Sequence, residues 1–214
     1  MINTPLPPLN GDTDPYAEER QSVLAAKDQV QQELAALRFT YREQVSQSVI
    51  DYVLGEVRQT CTQKHAVTFL QLPAETQAEM IQLAMQLAQE LRQRLQSISL
   101  TGAAQPWQEL EVLLSSPLVL VEQQLDRLYE LMGLIAAQDP NPRPITPLRW
   151  LGLEIRDPRL RSLRSQYQVL AARYARLESQ EKNLAEKQAI YSAQIRWQDL
   201  LTTLHSGMTP SPVS

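Results

Sequence analysis

An all-α fold is what this sequence predicts, and three observations carry the prediction. Apolar residues recur in steps of three, four and seven along nearly every long stretch. Gln, Leu, Ala, Glu and Arg, which favour helix or tolerate it well, fill those stretches, and only six glycines interrupt the 214 residues. Two periodic stretches of nearly equal length, 15–62 and 158–205, each open on an Asp-Pro pair. The expected architecture is a long antiparallel coiled-coil arm of two ~45-residue helices carrying a small helical-bundle head. Residues 14–205 form one helical domain in this reading, between disordered tails at 1–13 and 206–214.

The N-terminal tail holds Pro5, Pro7, Pro8 and the Asn10-Gly11 turn pair. Asp14 then supplies an N-cap, Pro15 a first-turn proline, and Glu18 and Glu19 the acidic charge favoured at a helix start. Val23, Val30, Leu34, Leu37, Tyr41, Val45, Val49, Val53 and Val57 keep helical spacing behind them. Leu24, Ile50 and Leu54 widen that stripe, and a wider stripe calls for more than one neighbour. The β-branched run from Val49 to Val57 would also suit a strand, but its four-residue step decides for helix.

Periodicity lapses between Cys61 and Leu72, which reads as a connector. Pro73 opens the head helices, 73–138, the first with a seam of Met80, Ala84, Leu87, Leu91, Leu95 and Ile98. A loop over Leu100–Gln105 leads to a short helix from Pro106-Trp107 that ends before Ser115-Ser116. Ser116-Pro117 starts another, whose seam Leu118, Val121, Leu125, Leu128, Met132 and Ile135 is the most regular heptad in the chain. Four prolines between Pro140 and Pro147 forbid helix, so 139–157 reads as a proline-rich loop. The final helix carries Leu160, Leu163, Tyr167, Leu170, Tyr174, Leu177, Leu184, Tyr191 and Ile195 on one seam. Polar Glu181 and Gln188 interrupt it, and Ile190, Trp197, Leu201 and Leu204 mark a drifting stripe that implies a second partner near its end.

No basic and apolar leader opens the sequence, and no apolar run approaches the roughly 20 residues that span a bilayer. The single cysteine, Cys61, excludes an internal disulfide; a soluble, cytoplasmic protein is the expectation. The scattered glycines form no phosphate-binding loop, and no serine sits in a nucleophile elbow. A carboxylate-bridged metal site would need Glu-x-x-His, yet His65 follows Thr62 and His205 follows Thr202 at that offset. Cys61 and His65 alone do not make a closed metal site. The sequence therefore offers no catalytic residue, cofactor or metal.

Charge is where the chain departs from the ordinary. The net charge is -4, yet Arg143, Arg149, Arg156, Arg159, Arg161, Arg164, Arg173 and Arg176 face only Glu154 and Asp157, a local charge near +6. Within this span, between the proline run and the final helix, lies Leu148–Ile155, an apolar strip containing Trp150. Burial in the chain's own core is the ordinary fate of such residues. The functional reading is a docking strip, aromatic and Arg-containing as interface anchors are. The partner-binding set in that reading is Trp150, Leu151, Leu153, Arg159, Arg161, Arg164, Arg173 and Arg176. The function expected is a non-enzymatic scaffold, adaptor or assembly factor acting through protein–protein contacts. The seams would serve a homodimer equally well, and a nucleic-acid or other polyanion binder using the Arg face at 156–176 is the second class.

Overall fold

The computed structural model describes residues 14–98, 107–135 and 144–206. The tail expected at 1–13, the loop at 100–105, nearly all of the tail at 206–214, and the start of the proline-rich segment, with Arg143, lie outside them. The all-α class holds: every regular element among the described residues is helical. These are α1 (Ala17–Gln59), α2 (Ala66–Gln71), α3 (Ala74–Ser97), α4 (Trp107–Leu131), α5 (Trp150–Arg156) and α6 (Pro158–Ser206), with a π-helical turn (Thr60–Lys64) closing α1. None is long and apolar enough to cross a membrane. The chain divides into two compact units, one of Met1–Gln32 with Ala172–Ser214 and one of Glu33–Ala171, so α1 and α6 contribute to both.

In the first unit the start of α1 and the later part of α6 lie antiparallel. Asp14 caps α1 by accepting the Tyr16 N–H at 2.9 Å, as the Asp-Pro pair predicts. The polar residues that interrupt the α6 seam find partners on α1: Lys27 donates to Glu181 at 2.7 Å, and Arg20 donates to Gln188 at 2.9 Å. Gln188 in turn donates to Asp14, and Tyr16 meets Tyr191 edge-on with centroids 6.3 Å apart. Among the described residues, Val30, Leu184 and Tyr191 are the buried apolar side chains of this unit.

The second unit holds most of the core. Tyr41, Val45, Val49, Val53 and Val57 of α1, Met80, Ala84, Ala88, Leu91 and Leu95 of α3, and the inner stripe of α4 are all buried there. The β-branched run of α1 is thus helical, its four-residue step keeping each valine on the buried side.

Four expectations need correction here. The break expected at Ser115-Ser116 is absent, because α4 runs through Pro117. Leu110, Leu114, Leu118, Val121, Leu125 and Leu128 hold one phase across the proline and all are buried. Burial at roughly 1.5–3 kcal/mol per side chain outweighs the ~3 kcal/mol cost of an interior proline. The carbonyl that loses its donor belongs to Leu113, on the exposed side where water can serve it.

The helix also stops at Leu131, well short of 138. Gly133 adopts φ 73°, its N–H bonds to the Glu130 carbonyl at 3.1 Å, and the Leu134 N–H reaches back to Tyr129 at 2.9 Å. That pair of bonds is a Schellman cap, with Leu134 buried beneath it. The connector after Cys61 is not irregular but a π turn followed by α2. Finally, the expected loop over 148–155 contains a helix, α5.

Residues 144–149, before α5, are strapped to their surroundings. Asp126 accepts the Ile145 N–H at 3.2 Å and Glu122 accepts the Leu148 N–H at 2.7 Å, both from successive turns of α4. Thr146 is fully buried, with its hydroxyl 2.9 Å from that of Thr60 and donating to Tyr129. Burial pushes the Glu122 and Asp126 carboxyls above their usual range, although the strap N–H groups pull the other way.

Candidate functional site

Helix α5 is short, and the sequence gives it two unlike faces. Trp150, Leu153 and Glu154 fall at i, i+3 and i+4 and turn inward; Leu151 and Ile155, four apart, turn outward. The inward face is locked by a buried hydrogen-bonded chain. Trp150 Nε1 donates to the Tyr41 hydroxyl at 2.9 Å, Tyr41 donates to Glu154 Oε1 at 2.8 Å, and Arg164 Nη1 donates to Glu154 Oε2 at 2.9 Å. Burial, reinforced by the Glu154 carboxylate, raises the Tyr41 pKa far above the ordinary phenol range, so this hydroxyl stays protonated. Trp107 stands edge-on to Tyr41 at 4.7 Å, and the Arg164 guanidinium lies 5.4 Å from the Trp107 ring centre. Further along, Arg38 is buried and donates through Nε and Nη2 to the Tyr167 hydroxyl, at 3.2 and 2.8 Å.

Both ends of α5 are fixed as well. At its start Tyr52 donates to the Arg149 carbonyl at 2.9 Å and accepts the Arg149 N–H at 3.0 Å. This approach needs Gly152, where a Cβ would stand 2.5 Å from the Tyr52 hydroxyl. At its end Arg156 pairs with Glu56 across the Tyr52 ring. Asp157 then caps α6 by accepting the Arg159 N–H at 3.0 Å, while Ser48 and Gln44 donate to its other oxygen. Burial opposes the Asp157 charge, but these donors outweigh it and hold the carboxyl below its usual range.

What remains outside is an apolar pair with a basic border. Leu151 is 61 % and Ile155 60 % exposed. Arg149, Arg159 and Arg161 are exposed around the same segment. Beside it an open groove of ≈ 340 Å³ between α1 and α5 is lined by Gln47, Asp51, Arg156 and Asp157 among others.

The residues singled out from the sequence therefore divide. Leu151, Arg159 and Arg161 are presented to solvent; Trp150 and Leu153 are buried, because the turns of α5 point them at Tyr41 and the core. For those two the docking strip is corrected to an internal anchor. Arg164, expected among the partner-binding arginines, is instead drawn inward by the buried Glu154 carboxylate. Arg173 and Arg176 are exposed and belong to the first unit. Sequence reasoning missed Glu154, Tyr41 and Arg38 as a polar core. One signal was available, since a lone acid within an apolar run tends to be buried only when paired.

Cys61 is buried in the π turn and burial pushes its thiol up to about 11, which leaves almost no thiolate at neutral pH. Among the described residues no group of three His, Cys, Asp or Glu side chains is placed to hold a metal ion. No family model matches the chain, and no curated protein or solved structure matches it.

Proposed function

We propose that this chain is a non-enzymatic interaction protein, an adaptor or assembly factor, which contacts its partner through the outer face of α5 and the arginines at the start of α6. One observation carries the reading. Leu151 and Ile155 stand about three-fifths exposed on a helix whose every other anchor is fixed internally. An apolar pair on a rigid support loses little conformational entropy when it is covered, which is the property of an interface centre. Exposed Arg149, Arg159 and Arg161 supply a polar rim, and they favour a partner surface with acidic residues.

The test is to cross-link and isolate the partner from the native cell, purify it, and titrate it calorimetrically against the wild type and two variants. Leu151→Asp with Ile155→Asp should weaken binding at least about tenfold with an unchanged melting temperature. Arg159→Ala with Arg161→Ala should chiefly slow association at low salt. Equal affinity for all three proteins would remove the face from consideration.

The second reading is a polyanion binder using the arginines of 156–176. Exposed Arg159 and Arg161 keep it open, whereas Arg156 and Arg164 are already paired with Glu56 and Glu154. Retention on a DNA or RNA column that falls steeply with salt would favour it, and flow-through at low salt would end it.

A further inference from the structure

Helix α4 has two apolar stripes, and only one of them is used inside the chain. The inner stripe, Leu110, Leu114, Leu118, Val121, Leu125 and Leu128, is buried. Away from it, at 100° per residue, lie Leu113 and Leu120 roughly 90–115° round the helix and Val112 and Val119 nearly opposite, exposed by 40, 47, 68 and 47 %. Leu113, Ser116, Leu120 and Gln123 step 3, 4, 3 along this outer side, with Val112 and Val119 on its flank. Continuing the same spacing outward places Glu109 before Leu113 and Arg127 after Gln123. Both are exposed, and neither has an ion-pair partner among the described residues. An open groove of ≈ 400 Å³ runs beside the stripe, lined by Gln108, Glu109, Val112 and Leu113.

We infer that this outer stripe is a self-association surface, covered by the same stripe of a second copy in antiparallel, two-fold arrangement. The sequence of the stripe complements itself in that orientation. With the two-fold axis level with Leu118, Leu120 of each copy faces the small Ser116 of the other, and Leu113 faces Gln123. The same axis sets Glu109 opposite Arg127, and symmetry makes that ion pair twice, at both ends of the contact. A parallel arrangement would set Glu109 against Glu109 and Arg127 against Arg127. The apolar centre is thus closed by two reciprocal charge pairs, a charge pattern that selects this orientation and this partner. The surface is separate from the α5 face, so either assignment can fail alone.

Sedimentation equilibrium on the full chain, from low to high micromolar concentration, tests it. Wild type should pass reversibly from monomer to dimer. Glu109→Lys alone, or Arg127→Glu alone, places like charges opposite each other twice and should weaken the dimer about tenfold. The double variant carrying both should return close to wild-type affinity, and Leu120→Glu should leave a monomer. All three positions carry exposed side chains, and unchanged helical circular dichroism and melting confirm that the fold is kept. A wild type that stays monomeric throughout overturns the inference. So does a dimer insensitive to Leu120→Glu, or a double variant no better than the single ones.

Discussion

At the scale of single residues the second unit is held by a charge where an apolar side chain would be expected. Glu154 is 2 % exposed, and its two oxygens are taken by Tyr41 and Arg164. Such a pair matters mostly through what happens when one member is removed. Arg164 keeps 30 % of its side chain in water and sits 4.0 Å from Glu111, so losing the Glu154 charge leaves it with other company. Glu154 has no such escape. Arg164→Ala should therefore cost about 3–5 kcal/mol, as for an orphaned buried charge. Glu154→Gln keeps an acceptor for Tyr41 and should cost only about 1–2 kcal/mol. Urea unfolding followed by the fluorescence of Trp107 and Trp150, which flank the pair, reads both. Equal costs would mean that the carboxylate is better solvated than its burial implies.

At the scale of elements the question is why some helices were legible in the chain and others were not. The bounds of α3 and α6 could be read because periodicity and start signals agree there: Pro73 precedes α3 and Asp157-Pro158 opens α6. The α4 region misled because a local rule and a tertiary one conflict. Ser-Pro is a start signal, but the continuous buried stripe overrides it. At the far end the heptad invited extension to Met132 and Ile135, while the actual stop depends on the backbone of one glycine. Helix α5 was hidden because seven residues are too few to show a period. Of the candidate site, the outward Leu151 and the exposed arginines were legible as types, whereas the inward turn of Trp150 depends on Tyr41, more than a hundred positions away, and that of Arg164 on Glu154, whose own burial the sequence does not announce. The glycine stop can be tested cleanly. A Cβ at Gly133 would meet nothing within 4 Å, so Gly133→Ala perturbs only the left-handed backbone. It should destabilise by about 1–2 kcal/mol, read as a lower urea midpoint at unchanged slope. A neutral result would show that α4 continues past Leu131 at little cost.

At the scale of the whole chain the two units share helices α1 and α6 but differ in what holds them. The Glu33–Ala171 unit draws its core from every helix but α2, with Tyr41, Leu91, Leu114, Leu125 and Tyr167 almost fully buried. The other unit rests on two helical segments in which, among the described residues, Val30, Leu184 and Tyr191 are the buried apolar side chains, with half-buried Val23, Tyr174, Leu177 and Ile195 and polar pairs such as Lys27–Glu181 along the rest of the seam. Pairs of that kind, still partly in water, contribute only about 1 kcal/mol each. Helical segments without a broad apolar contact are marginal on their own, since most helix stability in proteins comes from packing. Opening of the first unit should consequently require less free energy than global unfolding, even though the same two helices run into the core of the second. Amide hydrogen exchange followed by mass spectrometry should show this as a step within a continuous helix. Peptides from 17–32 and 172–200 exchange early, whereas those from 41–57 and 110–128 exchange only with global unfolding. Raised salt should accelerate the first group by screening Lys27–Glu181 and leave the second unchanged. Uniform protection along the whole of α1 would mean instead that the helix opens as one cooperative body, with the first unit stabilised by contacts stronger than its three buried side chains provide.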